Sequence, residues 1–139
     1  HAPVLQKTYS AVLGVGAFLR DNTQSPSTVR LINAKTPSAN EIVRIVGSRS
    51  HAQPGMDALL NQFPQHELIA VGSSLKFCLI AEGSAHLYPR LGPTMLWDTG
   101  AGHVIAIAAG ASVHYDGIEG PAYQRAELRN GNFTVSSLA

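Results

Sequence analysis

Short runs of apolar residues, separated by polar or glycine-containing breaks, divide this chain into alternating strands and helices. Thr8 to Val12 and Ala17 to Arg20 read as strands, joined by the turn Leu13-Gly14-Val15-Gly16. Asp21 to Ser27 is polar, contains Pro26 and reads as a loop; Val29 to Asn33 is a short strand. Thr36 to Asn40 is a connector too short to separate domains. Glu41 to Val46 is a β-branched strand. Met56, Leu59, Leu60 and Phe63 share one face of a helix predicted over Pro54 to Phe63. His66 to Val71 is the next strand. A helix capped by Ser73 or Ser74 runs through Glu82 and stops at Gly83. Ala85 to Tyr88 is a strand, Thr99 to Ala109 the last long helix, and Ser112 to Tyr115 and Phe133 to Ser136 are late strands. This order predicts an α/β fold: a mainly parallel or mixed sheet covered by helices, in one domain spanning residues 1–139.

Composition narrows the function classes. The chain has 139 residues, 45% of them hydrophobic, which suffices for one buried core. Net charge is +1 and the ten Lys and Arg are scattered, so no nucleic-acid stripe is expected. No apolar run reaches the length of a membrane span. Cys78, the lone cysteine, reads as a buried thiol. It fits a cytoplasmic location, with peripheral association at the inner membrane left open. The Gly14-Val15-Gly16 element lacks the third glycine and following helix of a dinucleotide-binding turn.

Three polar clusters follow predicted strands, where open α/β sheets bind ligands. Ser48-Arg49-Ser50-His51 follows the Ile42 to Val46 strand. Gly72-Ser73-Ser74-Leu75-Lys76 follows the Leu68 to Val71 strand and enters a helix, offering free N–H groups and a lysine to an anion. His51 can donate to a phosphate oxygen or stack on a base, while Arg49 reads as an ion-pairing or surface residue. Asp98-Thr99 opens the last helix. As an ordinary structural feature it is an N-cap; as a chemical one, Asp98 is a carboxylate suited to a hard cation. The Gly and Ala residues after it permit close approach of a backbone or ligand.

Trp97-Asp98-Thr99 with Gly102 and Gly110 resembles a signature of the magnesium-dependent inositol monophosphatase superfamily. Gly100 departs from it, standing where Ala or Cys is usual. Gly72-Ser73-Ser74-Leu75-Lys76, Leu87-Tyr88-Pro89-Arg90 and Ser48-Arg49-Ser50-His51 resemble the bacterial 3'(2'),5'-bisphosphate nucleotidases of that superfamily. The similarity runs from about Ala2 to about Val135. It implies that Asp98 helps bind a catalytic Mg2+ and contacts substrate, and that Ser48, His51, Gly72 and Lys76 contact nucleotide. Arg90 lies nearby in sequence without an assigned contact.

The family's Glu-Glu pair and Asp-Pro-x-Asp-Gly-Thr motif do not occur in this sequence. We therefore expect a C-terminal half whose N-terminal partner carries the remaining metal ligands and the activating threonine. The implied activity is hydrolysis of adenosine 3',5'-bisphosphate to AMP and phosphate, with little or none from the isolated chain. Two alternatives stand beside it: a phosphatase of inositol phosphates or sugar bisphosphates, and a non-catalytic phosphate-binding or subunit-interface remnant. Removing one half of a fused protein leaves an apolar face, so association with an N-terminal half or with itself is expected.

Overall fold

The computed structural model describes residues 1–47, 55–117, 123 and 126–138. A hairpin of β1 (Lys7–Val12) and β2 (Gly16–Asp21), with β3 (Thr28–Ile32) beside β2, makes a three-stranded antiparallel sheet. The hairpin turns at Gly14, whose φ of 77° suits glycine. A five-stranded mixed sheet comprises β4 (Val43–Gly47), β5 (His66–Ala70), β6 (Leu87–Arg90), β8 (Ser112–Tyr115) and β10 (Phe133–Ser136). Its order is β5-β4-β6-β10-β8, with β5, β4 and β6 parallel and the β6–β10 and β10–β8 pairs antiparallel. A short ribbon pairs β7 (Thr94–Met95) with β9 (Arg129–Asn130). The helices are α1 (Met56–Leu60), α2 (Leu75–Ala81) and α3 (Leu96–Ala108).

Helices α2 and α3 lie between the two sheets and bury residues on both sides, as a helix apolar on opposite faces must. Toward the five-stranded sheet, Phe77 and Ile80 of α2 and Ala106 of α3 pack with Val46, Tyr88, Phe133 and Val135. Toward the three-stranded sheet, Cys78, Ala81, Ile105 and Ala109 pack with Ala17, Leu19 and Ile32. The expected mixed α/β fold is present, with the added feature that α2 and α3 are roofed by a second sheet.

Two helix ends differ in detail from the sequence reading. Ser74 occupies the N-cap position of α2, yet its side chain makes no capping bond. Helix α3 begins at Leu96, so Asp98 is its third residue rather than its cap. The Asp98 carboxylate instead reaches back, accepting the Met95 N–H through Oδ2 at 3.0 Å. That satisfies one of the orphan donors of the first turn from inside the helix. The α2 terminus is as expected: Gly83 has φ 75°, its N–H donates to the Ile80 carbonyl, and the Ser84 N–H donates to that of Leu79.

Candidate active site

Three parallel strands end toward one edge of the larger sheet, and two of those ends contribute to a cavity of about 530 Å3. Gly72, Ser73 and Ser74 follow β5, Arg90 ends β6, Lys76 comes from the first turn of α2, and Asp98 from that of α3. Gly72, Lys76 and Asp98 thus line a single space. Ser48 and His51 lie outside the described residues.

Lys76 is the central feature. Its side chain is only 5% exposed, although lysine is rarely buried without a partner. The ammonium donates to the Ser73 carbonyl at 3.2 Å and stands 5.2 Å from the centroid of the Tyr88 ring. Ser73 accepts this role in a left-handed conformation, φ 58°, which is costly for a residue with a Cβ. Burial pushes the Lys76 pKa below its ordinary value, and the neighbouring Arg90 charge adds to the effect. Arg90 donates through Nη2 to the Pro93 carbonyl at 3.0 Å, while its Nε is buried with no hydrogen-bond partner among the described residues. An anion in the cavity would relieve both charges and the orphaned donor. Helix α2 has seven residues, so side-chain charge rather than a long helix dipole is what this wall offers.

The floor is aromatic. Phe77, Tyr88 and Phe133 contact one another with ring centroids 5.3–5.5 Å apart. Burial lifts the Tyr88 phenol to about 12, keeping it protonated and uncharged. Behind Asp98, Asn130 Nδ2 donates to Thr94 Oγ1 at 3.2 Å and to Thr99 Oγ1 at 3.1 Å, tying β9 and β7 to the start of α3. The Leu96 N–H donates to the Leu128 carbonyl at 2.9 Å. Helix α3 therefore enters the site from a fixed position.

The small residues after Asp98 serve helix packing. A Cβ on Gly102 would stand 2.7 Å from Phe77 Cγ, so glycine lets the ring lie directly on α3. A second cavity of about 390 Å3, on the other side of the Gly72–Ser74 turn, is lined by apolar residues such as Leu75 and Ile105. Among the described residues its lining includes no Lys, Arg, Asp or Glu side chain.

Asp98 is exposed and is the only carboxylate among the described residues lining the Lys76 cavity. One of its oxygens is engaged by Met95. No group of three or more His, Cys, Asp or Glu among the described residues is placed to hold a metal ion. These residues supply at most one carboxylate to a cation and do not form a magnesium site by themselves.

Arg90, the aromatic floor and the Asn130 clamp are the features the sequence reading missed as site components. Arg90 had a readable signal: it ends a strand just as the Gly72 turn follows one. Asn130 had none, because its partners lie 31 and 36 residues away.

The sequence matches the inositol monophosphatase family over residues 1–136. It is 44% identical over 114 residues to the 3'(2'),5'-bisphosphate nucleotidase CysQ of Escherichia coli K12, covering 82% of this chain and 43% of that protein. CysQ of Haemophilus influenzae is 31% identical over 137 residues, covering 97% of this chain and 49% of its own length. The crystal structure of CysQ from Bacteroides thetaiotaomicron superposes with a TM-score of 0.83 at 36% identity, covering 98% of this chain and 55% of that one. The chain thus spans about half the length of the relatives it matches. On its sequence match and its fold, the chain belongs to the inositol monophosphatase family.

Proposed function

We propose that this chain forms the nucleotide-binding side of a magnesium-dependent phosphatase that hydrolyses adenosine 3',5'-bisphosphate to AMP and phosphate. The observation that carries this reading is the buried Lys76 ammonium, held on the Ser73 carbonyl beside Arg90 in a cavity that Asp98 also lines. Lys76 and Arg90 bind phosphate oxygens, and Gly72, where an added Cβ would meet nothing within 4 Å, leaves the wall open to a ligand. Ser48 and His51 belong to the same reading as nucleotide contacts. The identity to proteins named as bisphosphate nucleotidases supports the choice of substrate.

Asp98 would donate one carboxylate oxygen to Mg2+, with the other ligands supplied from outside the described residues. When bound, the cation stabilises charge on the phosphoryl group. This chain's own contribution is to hold and orient the bisphosphate against Lys76 and Arg90. The proposed partner is an N-terminal half or a second copy. On the outer face of the three-stranded sheet, Val12, Val29 and Leu31 are exposed and available for such a contact. Cys78 is buried, and burial raises its thiol pKa to about 12, which leaves it unreactive. Among the described residues no helix is long and apolar enough to cross a membrane.

Calorimetric titration of the chain tests the reading. Adenosine 3',5'-bisphosphate should bind more tightly than inositol 1-phosphate. Lys76→Ala should weaken it by roughly tenfold to a hundredfold, the loss of a charge-assisted contact of about 1.5–3 kcal/mol. Equal affinity for the two ligands, or an unchanged affinity in the variant, counts against it.

A further inference from the structure

We propose that Trp97 is the stacking platform for the ligand's nucleobase, so that this site distinguishes a nucleoside bisphosphate from a base-free sugar bisphosphate. The inference rests on reading the Lys76 cavity as a phosphate-binding site, and it adds a recognition element for the uncharged end of the ligand.

Trp97 is the chain's single tryptophan, and it is 68% exposed. Exposure of one apolar residue means little by itself, since single apolar side chains are common on surfaces. Its location gives it meaning, because it lines the same cavity as Lys76, Arg90 and Asp98. The cavity's other aromatic residues among those described cannot present a free face. Phe77 lies on Gly102, the Lys76 ammonium covers the Tyr88 ring, and Phe133 is packed among Phe77, Tyr88 and Tyr115. The large apolar surface offered to a ligand at this rim is therefore the indole.

The backbone that carries the indole is also held in place. Trp97 is the second residue of α3, between Leu96, whose N–H is bonded to Leu128, and Asp98, whose carboxylate is bonded to Met95. Asn130 fixes Thr99 one residue further on. A backbone fixed on both sides loses little freedom when a ring settles against its side chain. In a nucleoside bisphosphate the base projects away from the charged phosphates. Phosphates beside Lys76 and Arg90, within the cavity, leave the base for the rim. Stacking tolerates any base, since each has a π-face.

The single tryptophan makes the test direct. The 139-residue chain is titrated in magnesium buffer with adenosine 3',5'-bisphosphate and with ribose 3,5-bisphosphate, following both calorimetric heat and Trp97 emission. Emission should be quenched by the nucleotide and left unchanged by the base-free compound. Trp97→Ala should weaken nucleotide binding about 5- to 150-fold, the equivalent of ~1–3 kcal/mol, and leave ribose 3,5-bisphosphate binding unchanged. Trp97→Phe should retain most of the nucleotide affinity. If the two ligands bind the wild type equally, or Trp97→Ala weakens both alike, stacking is wrong while the phosphate site stands. If neither ligand binds, the phosphate site and the stacking platform both fall.

Discussion

The Phe77 ring lies against Gly102, so close that a Cβ at residue 102 would stand 2.7 Å from Phe77 Cγ and Cδ2. This contact joins α2 to α3 one residue after Lys76 and four after Asp98. It sets the distance across the cavity between the cationic wall and the carboxylate.

Gly102→Ala should therefore damage both stability and ligand binding. The ring is buried among Tyr88 and Phe133 and has little room to move. Overpacking of this kind costs about 1–3 kcal/mol. Urea unfolding should show the loss, and titration with adenosine 3',5'-bisphosphate should show weaker binding. Gly110→Ala makes a useful contrast: its φ of 91° is strained for alanine, but an added Cβ meets nothing. It should destabilise the end of α3 without altering binding.

Asp98 combines two roles that substitutions can separate. Asparagine can still accept the Met95 N–H, whereas alanine cannot. Asp98→Asn should stay within about 0.5 kcal/mol of the wild type in stability. Asp98→Ala should lose about 0.3–1.5 kcal/mol, the usual worth of such a cap. In an active phosphatase containing this chain, both should abolish most turnover through the weakened metal site. Full activity of Asp98→Asn would leave Asp98 as a helix-capping residue alone.

Acid should destabilise the chain through two buried histidines. His86 accepts the Arg44 backbone N–H at Nδ1, 3.0 Å away, and its Nε2 lies 3.2 Å from Arg44 Nη2 and 3.6 Å from Glu41 Oε1. Burial, and then the Arg44 charge, hold its pKa below the ordinary 6.5, against the pull of Glu41. Burial lowers His103 in the same direction. Below pH ~6.5 the unfolded chain takes up protons that the native chain refuses. The stability present above that pH is lost as pH falls toward the native values. Thermal melting should be lower at pH 5 than at pH 7.5; an equal or higher melting temperature at pH 5 would contradict this.

The isolated chain should associate and should not turn over. Val12, Val29 and Leu31 leave an apolar outer face on the three-stranded sheet, in which β1 and β3 are the outer strands. Light scattering at micromolar concentration should report a species larger than a monomer. Phosphate release from adenosine 3',5'-bisphosphate with excess magnesium should fall far below the ~1–1000 per second of ordinary enzymes. A monodisperse monomer contradicts the first expectation, and rapid turnover the second.

The sequence alone determined the local elements and the residue types for the chemistry. Gly14 and Gly83 marked where chain direction changes, and the apolar runs of β8 and β10 lay where those strands form. These features depend on near neighbours, so they are legible in one dimension. The start of α3 was misread because Leu96-Trp97 looks like the end of a strand, whereas pairing of Thr94 and Met95 with β9 ends the extended segment earlier. Tertiary structure alone decided that Gly72, Lys76 and Asp98 share a cavity, that Arg90 joins them and that Asn130 clamps the entry of α3. The physical reason is the distance along the chain: these residues meet only after α2 and α3 are pressed together between two sheets, with Phe77 on Gly102 setting their separation.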